Sequence, residues 1–222
     1  MTKDQEYWIF GYGSLIFKPP LYYDLRVPGY INGYVRRFWQ SSNDHRGTPS
    51  APGRVVTLID YKFWSSLTDP HPGPDNNTTW GVAYRIRADK VDEARAYLDY
   101  REKNGYTVDT VELHFQKTGV ITDGLGNTLS SAEVDRLPDS VACTVYIGTP
   151  ENEAFTGPQD PDELAAHILK SRGPSGENTE YLFKLAEALK ILAPESEDFH
   201  IEELVTKVKL LESKQTTVTS TN

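Results

Sequence analysis

The chain is short of cysteine, of basic charge and of long apolar runs, and each shortage removes a class of function. A single cysteine, Cys143, among 222 residues excludes an internal disulfide framework and a cysteine-based zinc cluster. Lys and Arg number 23 against 32 Asp and Glu, so the formal charge is −9. A field of that sign repels nucleic acid and anionic lipid unless a local basic patch reverses it. No apolar run approaches membrane-spanning length, and the opening MTKDQEYWIF lacks the apolar core of a secretion signal. The expectation is a cytoplasmic protein with no nucleic-acid, membrane or obligate protein partner. The histidines (His45, His71, His114, His167, His200) show no metal-ligand spacing.

What is present argues for a packed domain. Hydrophobic residues make up 38% and aromatics 11%, enough to exclude a disordered chain. A chain of this length can bury most of its unfolded apolar surface without a disulfide or metal staple. Residues 1–213 read as one domain, and the polar, Thr-rich stretch 214–222 reads as a disordered tail.

Strand patterns fall at Trp8–Tyr12, Tyr30–Gln40, Arg54–Tyr61, Trp80–Arg87, Tyr106–Phe115 and Val141–Ile147. The alternation in Thr107-Val108-Asp109-Thr110-Val111-Glu112-Leu113 suggests a sheet with one buried face, open or closed into a barrel. Ser65–Thr79 and Asp123–Ser140 are rich in turn formers and read as surface insertions. Three helices close the chain. Asp160-Pro161 starts the first, Asn178 caps the second, and Asp198 opens the third, whose apolar step is Ile201, Leu204, Val208 and Leu211.

Four stretches are able to carry chemistry. Gly11-Tyr12-Gly13-Ser14-Leu15-Ile16 follows a strand, and its glycines let backbone N–H groups approach a ligand. Ile16 stands where a dinucleotide fingerprint needs a third glycine, and the spacing is not that of a nucleophile elbow. A tight turn and a ligand loop fit this stretch equally. Next, a helix capped by Asp89 and stopped by Gly105 would align Val91, Ala94, Leu98 and Glu102 in one narrow stripe. Glu102 then occupies an apolar position with its carboxylate inward, where burial raises the pKa and makes a better proton acceptor. A structural ion pair with an inward arginine, or a frayed helix end, are the alternatives.

The third stretch reverses the global charge: between Arg26 and Asp60 lie Arg26, Arg36, Arg37, Arg46 and Arg54 against Asp44 and Asp60. Arg36-Arg37 suits a solvated strand edge, whereas Arg54 enters a core strand and is the better carboxylate ligand. Fourth, Gly173-Pro174-Ser175-Gly176-Glu177-Asn178 leads into a helix that offers N–H groups to an anion or merely caps itself, with Tyr181 one turn on. Cys143 lies in an alternating strand and reads as a buried, inert thiol.

Taken together, several segments resemble the glutathione-specific ChaC-type γ-glutamylcyclotransferases. These are Phe10–Ile16, Arg36–Gln40, Asp44–Gly47, Pro52–Leu58, Trp80–Tyr84, Tyr97–Glu102, Tyr146–Gly148, Gly173–Gly176 and Asn178–Leu182. The resemblance runs from about Trp8 to the last helix, and the two insertions fall between the shared motifs. It implies an α+β fold, a small mixed β-barrel with flanking helices, that needs no cofactor or metal. It also implies a small-molecule substrate, glutathione, split into 5-oxoproline and cysteinylglycine. By the same resemblance Gly11, Tyr12, Gly13, Ser14, Leu15 and Ile16 hold the γ-glutamyl group and Glu102 is the catalytic acid/base. Arg54 and Tyr181 are added as further substrate-binding candidates.

Overall fold

In the computed structural model, residues 6–71, 73, 77–102, 105–194 and 198–219 are described, with side chains to 215. A ring of five strands forms the centre. β1 (Tyr7–Gly11) runs antiparallel to β5 (Thr78–Ile86) and parallel to β8 (Ser140–Ile147). β8 pairs antiparallel with β6 (Thr107–Phe115), β6 with β2 (Tyr23–Asn32), and β2 returns to β5 along Asn32↔Thr78 to Tyr23↔Ile86. This closure leaves no open edge between β5 and β2 and makes a mixed barrel. The short β7 (Thr122–Asp123) adds to β2. The alternation noted in Thr107–Leu113 is real at its inner end: Val111 and Leu113 are buried while Asp109 and Glu112 are exposed.

Tyr30–Gln40 is not one strand. Gly33 takes φ +81°, a left-handed turn that suits glycine, and splits the stretch into β2 and β3 (Tyr34–Ser42). β3 pairs with β4 (Gly53–Asp60) as a separate two-stranded layer. Against it pack the helices α4 (Pro161–Lys170), α5 (Asn178–Leu192) and α6 (Phe199–Thr219). Leu164, Ile168, Leu182, Leu185, Ile201, Leu204 and Val208 are each almost wholly buried in the shared core. Asp160 caps α4 by accepting from the Asp162 and Glu163 N–H groups, with Pro161 in the first turn.

Several expectations change. Asn178 does not cap α5 but is its first residue, fully buried, bonding both the N–H and the C=O of Arg54 across to β4. Arg36 and Arg37 are not on a solvated edge. They are buried, Arg36 against Asp198 at 3.1 Å and Arg37 against Asp69 at 2.6 Å, so each charge is offset inside the protein. A short helix, α1 (Tyr61–Trp64), precedes the first insertion, and the second holds α3 (Ser131–Val134), which starts with a Ser130/Glu133 capping box. Residues 214–219, read from sequence as disordered tail, continue α6, because Lys, Gln and Thr do not break a helix that is already nucleated. Residues 220–222 lie outside the described residues.

Candidate active site

β1 and β8 end side by side because they are parallel neighbours, and the cavity opens beyond those ends. Its volume is about 450 Å³, within the roughly 300–1,000 Å³ common for small-molecule sites. Its walls come from the turn after β1, the end of α2 (Val91–Arg101), the loop between β3 and β4, the hairpin of β9 (Arg172–Gly173) and β10 (Gly176–Glu177), and α5.

The turn after β1 forms one wall of the cavity. Ser14–Ile16 form a single 3-10 turn, closed by Ile16 N–H donating to Gly13 O at 3.0 Å. No acceptor meets the N–H groups of Gly13, Ser14 or Leu15 among the described residues, and all three residues line the cavity. The loop is pinned from below: Tyr12 donates to Tyr146 O at 2.7 Å and Tyr84 to Leu15 O at 2.7 Å. A Cβ on Gly13 would lie 2.9 Å from Val56 Cγ2 and 3.0 Å from the Tyr181 hydroxyl, so only glycine lets the loop approach that wall. Tyr12, Gly13, Ser14 and Leu15 line the cavity; Gly11, the last residue of β1, and the buried Ile16 support them from behind.

Glu102 is the C-cap of α2, with its N–H bonded to Leu98 O at 2.8 Å. Ala94 and Leu98 are fully buried on the stripe that the helical phase marked. The start of the helix differs: Asp89 forks with Arg87 in a preceding 3-10 turn instead of capping. Gly105 keeps a left-handed φ of +76°, beyond residues 103–104, which lie outside the described residues. The Glu102 side chain is 18% exposed, and the nearest cation is Arg101 Nε at 3.5 Å, too far for a hydrogen bond. The ion-pair alternative is therefore met in part: the largely buried Arg101 pairs with Glu102 without a hydrogen bond. Burial pushes the Glu102 carboxyl above its usual range; Arg101 and His45 pull it down, and Asp44 adds to the rise.

Arg101 spans the site. Its Nη2 donates to Ser14 Oγ at 2.6 Å and its Nη1 to Lys18 O at 3.3 Å, which ties the glycine turn to the end of α2. Arg46 donates to Glu177 O at 2.8 Å and Glu180 Oε2 at 2.6 Å, and its guanidinium lies over the Tyr181 ring. Glu180 is held down at about 2 by hydrogen bonds from Lys184 and Arg46. Tyr181 is buried, edge-on to Phe17 and Phe38, and forms the cavity floor.

Arg54 does not line the cavity. Its guanidinium bonds Gln159 Oε1 at 3.1 Å and Gly53 O at 3.0 Å, because β4 turns that side chain toward the segment before α4. The arginines at the wall are Arg46 and Arg101, both within the segments that carry the resemblance but not singled out for a role. The reason is local: neither sits on an apolar stripe, and contact with the loop depends on how α2 docks. Gly173–Asn178 forms a tight hairpin whose Pro174 and Ser175 reach the rim, with Ser175 N–H on His45 O at 2.9 Å. Cys143 is buried and pushed up to about 12 by burial, remote from nucleophilic use. Among the described residues no group of three His, Cys, Asp or Glu is arranged to hold a metal ion.

Comparison with known proteins places nearly the whole chain in one family. The family model of ChaC-like proteins matches residues 7–211. A glutathione-specific γ-glutamylcyclotransferase of Schizosaccharomyces pombe is 42% identical over 94% of this chain and 95% of its own. One from Saccharomyces cerevisiae is 45% identical, covering 85% of this chain and 88% of its own. A crystal structure of the yeast γ-glutamyl cyclotransferase specific to glutathione superposes with a TM-score of 0.78 at 40% identity, covering 93% of this chain and 96% of that one. Since the family model spans nearly the whole chain and these relatives are 42% and 45% identical to it, the chain belongs to the ChaC family.

Proposed function

We propose that this chain cleaves glutathione into 5-oxoproline and cysteinylglycine, with Glu102 as the proton-transferring group. The observation that carries the reading is a largely buried carboxylate with raised proton affinity, paired only with Arg101 at 3.5 Å, at the wall of a cavity bounded by the Gly13–Leu15 turn. The identities to glutathione-specific relatives support the choice of substrate.

The reaction needs the α-amine of the γ-glutamyl group to attack its own γ-carbonyl. In water the amine is protonated and the chain extended, so the cavity must fold the substrate into attacking geometry. Glu102 accepts the ammonium proton; the freed amine adds to the γ-carbonyl carbon, closing a five-membered ring. Collapse of the tetrahedral intermediate breaks the original amide bond; Glu102 gives its proton to the departing nitrogen, and the second proton shed by the ring nitrogen leaves with cysteinylglycine, whose amine departs as its ammonium. One C–N bond forms, one breaks, and no water is consumed. The Gly13, Ser14 and Leu15 N–H groups meet negative charge on the γ-glutamyl end, either its carboxylate or the oxyanion. Arg101 and Lys18 at the same wall make the local field favourable to an anion although the whole chain carries −9. Tyr181 serves as an apolar floor.

No helix among the described residues is long and apolar enough to cross a membrane. We place the enzyme in the cytosol, acting on a small molecule without a nucleic-acid partner, in keeping with its acidic charge. Release of 5-oxoproline from glutathione, compared with other γ-glutamyl peptides and γ-glutamyl amines, tests the reading. Turnover of glutathione well above the others supports it, and binding without release refutes it.

A further inference from the structure

Asp44 plays no part in the chemistry above, yet it shares the cavity wall with Glu102. Both of its carboxylate oxygens are closed to water, and neither has a hydrogen-bond partner among the described residues. The nearest cationic candidate is His45, whose Nε2 stands 3.9 Å from Asp44 Oδ2, beyond hydrogen-bond range. That ring is held elsewhere, with Nδ1 3.1 Å from Ser175 Oγ. A carboxylate denied both water and a donor is costly to the fold, and the cost is relieved when a cation arrives.

Asp44 and Glu102 are the only carboxylates among the described residues of the wall, whereas Lys18, Arg46 and Arg101 supply its cationic part. Arg46 is already matched by Glu180 at 2.6 Å, so it offers no charge to Asp44. Glutathione brings one cation, its α-ammonium, and two carboxylates. The proton affinity of Glu102 responds to Asp44, as expected of two groups flanking a small, poorly screened space.

We propose that Asp44 binds the α-ammonium of the γ-glutamyl group and holds it beside Glu102. The inference rests on the glutathione reading and deepens it, by naming the group that reads the reacting amine. The Asp44 side chain is 26% exposed and lines the cavity, so its carboxylate stands at the edge of the space a ligand would fill. Glu102 takes the proton, Asp44 keeps the nitrogen in place, and the site rejects γ-acyl compounds that lack the amine.

The test uses the Glu102→Gln protein, which keeps the cavity and prevents turnover, and two ligands measured by titration calorimetry. One is glutathione; the other is glutaryl-cysteinylglycine, the same molecule with hydrogen in place of the α-amino group. The parent should bind glutathione about tenfold or more tighter than the desamino ligand, the size of one hydrogen-bonded charge contact. Adding Asp44→Asn should weaken glutathione by a similar factor and leave the desamino ligand within about twofold. Equal affinity of the parent for the two ligands overturns the proposal. So does equal weakening of both by Asp44→Asn, which marks a merely structural role. Should that variant not fold, Asp44→Ser enters the same cycle. Failure of the wild-type protein to release 5-oxoproline is a different result: it removes the glutathione reading first and this inference with it.

Discussion

Arg101 Nη2 lies 2.6 Å from Ser14 Oγ, a charge-assisted hydrogen bond that joins the end of α2 to the glycine turn. The same guanidinium places its Nε 3.5 Å from Glu102 Oε1, so one side chain links the glycine turn to Glu102. Arg101→Lys keeps the charge but loses the fork. It should lower kcat/KM for glutathione roughly 10–100-fold, as expected for losing a charged hydrogen bond worth about 1.5–3 kcal/mol. Steady-state kinetics check this, and a variant with wild-type kcat/KM would show that the bridge is incidental.

The pH profile follows from the direction of the Glu102 shift. Glu102 must be deprotonated to accept a proton, and burial raises its pKa. Activity should therefore fall on the acid side at a higher pH than an ordinary carboxylate would give. The stability linkage has the same sign. A raised folded-state pKa gives stability that is present below the unfolded pKa and lost as pH rises through the folded one. Thermal melts at pH 8 should accordingly find Glu102→Gln at least as stable as wild type. A large loss of Tm there contradicts the assignment of burial as the cause.

Gly13→Ala places a methyl 2.9 Å from Val56 Cγ2 and 3.0 Å from the Tyr181 hydroxyl, against a buried wall with little room to give. The loop must move, and its N–H groups move with it. KM should rise, or turnover be lost, by about tenfold or more, since small misplacements of a binding loop are costly to rate. Unaltered kinetics in this variant would mean that the turn is not a ligand loop.

Arg54→Ala separates structure from binding. Its guanidinium bonds Gln159 and Gly53 and not the cavity, while its backbone is clamped by Asn178. The substitution should lower stability by about 1 kcal/mol and leave KM for glutathione within about twofold. Chemical denaturation paired with kinetics measures both; a selective rise in KM would restore Arg54 to the site.

The Glu102 position was legible because a short amphipathic helix repeats at 100° per residue, and the carboxylate sits where Ala94 and Leu98 point inward. The α4 start was legible for a similar local reason, Asp160 before Pro161. The parallel register of Ile9 with Thr144 and the closure of β2 on β5 were not, since pairing partners far apart in sequence leave no local periodicity. Arg36 and Arg37 misled because charge alone argues for solvent, and their acids Asp198 and Asp69 arrive from distant segments. Arg54 misled in another way: its strand is in the core, but strand alternation does not say which neighbour a side chain meets. Asp44 looked like one acid among five arginines until its oxygens proved to have no partner among the described residues.

The central claim is that Glu102 moves the proton. Glu102→Gln preserves size and leaves the Arg101–Ser14 bridge in place. With folding verified by circular dichroism, 5-oxoproline release from glutathione should fall by about 10²–10⁴-fold, the usual contribution of a positioned acid/base. Release at near wild-type rate from the folded variant would contradict the account.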